Sequence, residues 1–129
     1  MMDDDLLAAA RTAGRRALAP YSRFPVGAAV QGNDGAIYPG CNIESASYPL
    51  TMCAERVAIF SALAAGTRPR RLAVSCLQGD SSEPNTLMPC GACRQVMTDQ
   101  MAPDAPVLVD GVGMFTVAEL LPRGFRLPE

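Results

Sequence analysis

Two short stretches of this chain hold side chains that could do chemistry together. One reads Pro89-Cys90-Gly91-Ala92-Cys93 and the other Cys53-Ala54-Glu55. Each stands where a helix is expected to begin. A Cys-x-x-Cys pair in the first turn of a helix brings two thiols to one place, and the free amide groups and dipole of the helix end favour thiolate. Alone, that pair also suits a redox couple or two incidental buried cysteines. A Cys and a Glu two residues apart is a weak signal by itself. Together the stretches offer three thiolates and a carboxylate. Zinc held by three protein ligands keeps its fourth position for water when the site is catalytic. Cys53, Cys90 and Cys93 would supply the ligands. Glu55 would lie beside the metal without ligating it, which suits a proton carrier.

Three thiolates carry a cost in reactivity. An ion of charge +2 with three ligands of −1 leaves the site at −1, which weakens its pull on water. Arg56 follows Glu55 directly, and its guanidinium could donate hydrogen bonds to ligand sulfurs and draw charge from them. The plainer alternative is an exposed helix Arg paired with a surface carboxylate.

These residues must be positioned by a scaffold, and the periodicity of the chain suggests one. Leu6, Leu7, Ala10, Ala13, Ala17 and Leu18 recur at helical spacing, predicting a helix over 3–19 that stops at Pro20. Residues 25–31 and 36–41 flank Asn33-Asp34-Gly35, a hairpin signal. Residues 53–65 read as a second helix ending at Gly66, 71–77 as a buried strand, and 79–86 as a loop. Residues 90–101 read as a third helix, 106–110 as a short strand and 117–121 as a short helix. Strands alternating with helices imply some parallel pairing with helices on the sheet faces, and the hairpin adds antiparallel pairing. The expected class is α/β, a three-layer α/β/α fold around a mixed sheet, within one domain over residues 1–129.

Composition narrows the chemistry further. The chain has 129 residues, 49% hydrophobic and 19% charged, which suits a packed core and excludes disorder as the main state. All 11 basic residues are Arg, with no Lys and no His. That removes Ser-His-Asp and Cys-His pairs, imidazole ligands, Schiff bases and P-loop lysines. A net charge of −2 gives little attraction for a phosphate backbone, so no nucleic acid partner is expected. No apolar run approaches the ~18 residues that would span a bilayer, and the opening Met1-Met2-Asp3-Asp4-Asp5 is acidic where a signal peptide would be basic. A reduced, cytoplasmic protein without a membrane partner is the expectation, its five cysteines free or metal-bound. Cys41 and Cys76 read as buried, inert thiols. Arg68, Arg70 and Arg71 read as a solvated loop cluster, and Arg15 and Arg16 as the exposed side of the first helix.

The ordered motifs resemble the small homotetrameric cytidine deaminases of pyrimidine salvage. The matching segments are Tyr21-Ser22-Arg23-Phe24-Pro25-Val26-Gly27-Ala28-Ala29, Gly40-Cys41-Asn42-Ile43-Glu44, Cys53-Ala54-Glu55-Arg56 and Pro89-Cys90-Gly91-Ala92-Cys93-Arg94-Gln95-Val96, with Leu120-Leu121-Pro122 and Phe125 near the end. The likeness runs from about residue 20 to 125. It implies a cytidine-deaminase-like sheet of about five strands and one zinc ion per subunit on Cys53, Cys90 and Cys93. It implies that Glu55 moves protons, that Asn42 and Glu44 hold the ribose, that Phe24 packs on the pyrimidine, and that Ala54 and Phe125 contact the nucleoside. It also implies a homotetramer with composite sites, to which the Tyr48 segment contributes across subunits. Arg56 would temper the thiolates.

The implied reaction converts cytidine or deoxycytidine to uridine or deoxyuridine and ammonia. Zinc can lower the pKa of a bound water from 15.7 to about 7 in favourable sites. The oxygen adds at C4, protonation at N3 assists, and the amino group needs a proton to leave. One carboxylate near both atoms can serve each step. Ser45 departs from the family pattern, where many members have a second Asn, and Thr51-Met52 is also atypical. Two other readings compete: a deaminase of a modified cytosine nucleoside such as blasticidin S, and a non-catalytic zinc module closed by a fourth thiolate from Cys41 or Cys76. A polynucleotide deaminase is disfavoured by the acidic balance and the absence of Trp.

Overall fold

A computed structural model describes residues 2–129, and Met1 lies outside the described residues. The elements follow in the order α1 (Met2–Gly14), β1 (Val26–Gly32), β2 (Ile37–Cys41), α2 (Ala54–Ala64), β3 (Pro69–Cys76), α3 (Gly91–Gln100), β4 (Pro106–Val109), β5 (Gly113–Thr116) and α4 (Val117–Leu120). Short 3-10 turns occupy Tyr48–Leu50 and Pro84–Leu87.

The five strands form one sheet in the order β2-β1-β3-β4-β5. β1 pairs antiparallel with both β2 and β3, β3 pairs parallel with β4, and β4 pairs antiparallel with β5. The mixed sheet expected from the sequence is present, with a single parallel pair.

Alternation along the strands sorts the core into two layers. Ala28, Val30, Leu72, Val74, Val107 and Val109 face a cluster completed by Ala54, Ala58 and Ile59 of α2 and Cys93 and Met97 of α3. Ala29, Ala73 and Leu108 face the other way, onto Leu6 and Ala10 of α1. The result is the three-layer arrangement, with α1 on one face and α2 and α3 on the other.

Two expectations need correction, and one strand had carried none. The first helix ends at Gly14 rather than residue 19. Leu18 instead donates its N–H to the Asn42 carbonyl and accepts from the Glu44 N–H, forming an isolated bridge with Ile43. A long-range backbone pairing therefore wins over the helical spacing of Ala17 and Leu18. Residues 113–116, which carried no expectation, form the edge strand β5 after a turn in which Gly111 adopts φ of 82°. The second correction concerns Cys41 and Cys76, which are only half-buried, Cys76 packing beside the main core cluster.

One packing detail bears directly on the site. Gly40 of β2 has no side chain, and a Cβ there would come within 2.5 Å of both the Ala54 carbonyl oxygen and the Ala58 nitrogen. The first turn of α2 therefore lies directly on β2, which sets the height at which Cys53 and Glu55 meet the sheet.

Candidate active site

Cys53 and Cys90 occupy the N-cap positions of α2 and α3, both in extended backbone conformation. A side chain at this position stands at the mouth of the helix, where Ser, Thr or Asp would normally bond a free amide. Neither thiol makes a capping bond, so both sulfurs are available to something else. Cys93, one turn into α3, is fully buried. The three Sγ atoms lie within 4.8 Å of one another, and Cys53 Sγ is 3.8 Å from Cys90 Sγ.

Sulfurs bound tetrahedrally at ~2.3 Å from one zinc ion lie roughly 3.8 Å apart. The thiol cluster thus has the size and the soft donor set that zinc requires. Among the described residues neither Cys41 nor Cys76 joins the group, so the fourth position has no thiolate. That argues against a closed structural centre and leaves room for a water.

The electrostatics favour thiolate at one member first. A hydrogen bond from Cys93, reinforced by Arg56 and Cys90, draws the Cys53 thiol down to about 5 despite its burial. Cys93 is pushed up correspondingly, because its proton is held against the Cys53 sulfur. The Arg56 Nη2 lies 3.3 Å from Cys53 Sγ, so the reading of this side chain as a surface Arg paired with a carboxylate is excluded.

Glu55, in the first turn of α2, is only 5% exposed. Burial pushes its carboxyl up to about 7, with the nearby Cys53 thiolate adding to the rise. A carboxyl that titrates near neutrality can both take and give a proton.

These groups open onto a cavity of about 170 Å³. Its wall includes Phe24, Asn42, Cys53, Ala54, Glu55 and Cys90, all expected from the sequence. It also includes Thr51 and Met52, noted from the sequence as atypical, Cys76, and Val26, Val74, Thr86, Leu87 and Met88, which the sequence had given no site role. Val74 and Cys76 are two apart on β3 and share the face with Glu55, a signal the strand alternation did contain. Burial raises the Cys76 thiol to about 11, so it stays protonated, as an inert thiol should, although it faces the cavity.

The Asn42 side chain braces the loop that carries Phe24. Its Nδ2 donates to the Phe24 carbonyl at 2.9 Å, and its Oδ1 accepts the Val26 N–H at 2.9 Å. Glu44 does not line this cavity. Its carboxylate accepts the N–H groups of Tyr21 and Ser22 at 3.0 and 3.1 Å and the Ser22 hydroxyl, beside an adjoining cavity of about 320 Å³ that also touches Ser45, Tyr48 and Thr51. Those bonds hold the Glu44 carboxyl below its usual range, the Ser22 hydroxyl contributing most. Thr51 belongs to both walls and accepts the Ser45 N–H at 3.1 Å. Phe125 lines neither cavity and is 66% exposed.

Arg94 is a further positioning group that the sequence reading left without a role. Its Nε donates to the Pro89 carbonyl at 2.8 Å and its Nη1 to the Leu120 carbonyl at 2.9 Å. This ties the Met88-Pro89-Cys90 wall to the end of α4.

The family model for the cytidine and deoxycytidylate deaminase zinc-binding region matches residues 1–108. The chain belongs to this family. It is 44% identical over 127 residues to the cytidine deaminase of Sporosarcina psychrophila, covering 95% of this chain and 90% of the relative. The crystal structure of cytidine deaminase from Burkholderia pseudomallei superposes with a TM-score of 0.86 at 44% identity, covering 97% of this chain and all of that one. The blasticidin-S deaminase of Bacillus cereus is also similar, at 35% identity over 108 residues, covering 78% and 76% of the two chains. Among the described residues no helix is long and apolar enough to cross a membrane.

Proposed function

We propose that this chain is a zinc-dependent cytidine deaminase that hydrolyses cytidine and deoxycytidine to uridine or deoxyuridine and ammonia. The observation that carries the reading is the meeting of three cysteine sulfurs at the mouths of two helices with one buried carboxyl, Glu55, in the wall of the same cavity. Membership of the deaminase family and 44% identity to a cytidine deaminase over most of both chains support the substrate class.

Cys53, Cys90 and Cys93 hold the zinc. Bound there, zinc supplies a water of lowered pKa in its open fourth position. Glu55 would take a proton from the attacking water and deliver it to ring N3 as the oxygen adds at C4; it would then take the proton of the new C4 hydroxyl and pass it to the amino group, which leaves as ammonia as the C4 carbonyl forms. Its carboxyl suits this exchange because burial keeps the neutral and charged forms close in energy near pH 7. Arg56 draws charge from the Cys53 sulfur and so offsets the excess negative charge of three thiolates. Phe24 packs on the base, and Ala54 offers close backbone contact in the same wall.

Asn42 and Glu44 hold the ribose, Asn42 from the cavity wall and Glu44 from the adjoining cavity. Tyr48, 85% exposed, and Phe125, 66% exposed, are large aromatic residues left mostly uncovered among the described residues. Their exposure supports a homotetramer in which such rings complete the sites of neighbouring copies. The single sheet, drawing strands from Val26 to Thr116, supports one deaminase domain over 1–129. The proposal extends to a cytoplasmic role in pyrimidine salvage, with which a nucleoside deaminase activity is consistent.

The test is a deamination assay. Purified protein turns over cytidine to uridine and ammonia, and Glu55→Gln, still carrying zinc, does not. No turnover of cytidine by the zinc-loaded protein would overturn the reading and pass the question to blasticidin S, the substrate named for the Bacillus cereus relative.

A further inference from the structure

The outer side of α3 holds the C-terminal segment by a contact that plays no part in the reaction as set out above. The Gln95 amide donates from Nε2 to the Phe125 carbonyl at 2.9 Å, and its Oε1 accepts the Phe125 N–H at 3.1 Å. One planar group thus bonds both backbone groups of a single residue, as a neighbouring strand would. The other hydrogen of Nε2 goes to Asp99 Oδ1 at 3.0 Å, one helical turn along. A carboxylate only accepts, so Asp99 fixes which end of the amide is nitrogen and hence which end meets the Phe125 N–H. Gly124 brings the same segment close to the helix: a Cβ there would lie 2.9 Å from Thr98 Cγ2. The Phe125 backbone is therefore fixed on α3 while its ring stays exposed and outside the chain's own cavity.

We infer that Gln95 is a positioning residue for the reaction: it fixes the Phe125 backbone so that the exposed ring is presented in one orientation to the nucleoside site of an adjacent copy of this chain. The inference rests on the reading of Phe125 given under the proposed function. An exposed segment near a chain end frays unless it is tied down. Without the clamp, the ring would surrender its freedom only when substrate binds, and affinity would fall by that ordering cost. A ring packed on the nucleoside touches ground state and transition state alike, so the loss falls on KM rather than kcat.

The experiment is a double-mutant cycle. Gln95→Met keeps the length and helical preference of the side chain and removes both bonds, and Gln95→Ala replaces it if the first variant does not purify folded. The expected result is a KM for cytidine raised on the order of tenfold, with kcat and zinc content close to those of the unaltered protein. Added to Phe125→Ala, the same substitution is expected to raise KM no further. An unchanged KM in Gln95→Met, a loss of zinc, or an equal rise in the Phe125→Ala background would each overturn the inference. If Phe125→Ala alone leaves KM unchanged, the reading of the ring itself has failed, and the clamp is then only an anchor for the chain end.

Discussion

Arg56 and Cys53 face each other across the first turn of α2, with Nη2 3.3 Å from Sγ. The spacing of three residues on a helix makes this contact local, so it forms wherever α2 forms. The cation thereby reaches the one sulfur whose thiolate is most favoured, and each raises the charged population of the other.

Arg56→Gln is therefore expected to give a folded, zinc-loaded and slower enzyme. Loss of a partner that tunes a metal ligand typically costs about 10–100-fold. Metal analysis alongside kcat checks this, and unchanged turnover would show that the sulfur charge does not limit the reaction.

Cys90→Ala removes an exposed thiol, a ligand under the proposed function, and not a core side chain. The variant should fold, yet fail to retain stoichiometric zinc and lose turnover. Atomic absorption after dialysis and a thermal melt in chelator, compared with the parent in chelator, separate the metal from the fold. A metal-loaded, active Cys90→Ala would remove Cys90 from the ligand set.

Gly40→Val should be severely destabilising, because the new side chain would meet the backbone of Ala54 and Ala58 rather than a flexible side chain. Overpacking against backbone costs about 3 kcal/mol or more. The urea midpoint reads the loss, and a midpoint near that of the parent would show that α2 can lift from β2 at little cost.

A pH-dependent difference is expected at the opposite face of the sheet. Arg11 of α1 donates from Nε and Nη2 to the two oxygens of Asp110, each at 2.8 Å, and the Ser75 hydroxyl donates to the same carboxylate at 2.8 Å. The Arg11 bonds foremost, then Ser75, hold the Asp110 carboxyl below its usual value. A carboxyl depressed by folding adds stability above its unfolded pKa, about 3.9, and loses it as pH falls through the folded value. Arg11→Ala should thus cost about 0.5–1 kcal/mol at pH 7 for this partly exposed pair. The difference should shrink towards zero as Asp110 is protonated. Urea titrations of both proteins at neutral and acid pH test this, and a gap independent of pH would assign the effect to packing.

The parts of the fold that the sequence made legible are those set by local signals. The Asn33-Asp34-Gly35 turn announced β1 and β2, and Cys53 and Cys90 marked the starts of α2 and α3 to within a residue. What it concealed was decided at a distance. Leu18 leaves the first helix because its backbone pairs with Asn42 and Glu44, more than twenty residues on. β5 is short, begins at a glycine and gains its partner only by docking beside β4, although Asp110-Gly111 offered a turn signal that could have been read. The meeting of three thiols beside Glu55 was legible because Cys-x-x-Cys and Cys-x-Glu at helix starts bring few kinds of group to one place. The placement of Leu87 and Met88 in the cavity wall and the backbone bonds of Arg94 and Gln95 were not, since apolar, guanidinium and amide groups on a helix or loop have many uses and only the fold selects one.

The thiol cluster joins positions 37 residues apart, with all of β3 threaded between them. As the chain leaves the ribosome, Cys53 emerges long before Cys90 and Cys93, so no partial product can assemble the cage. The three-sulfur site therefore exists only once α3 has been synthesised and docked on the sheet, so this metal site is a property of the finished fold and not of any N-terminal fragment.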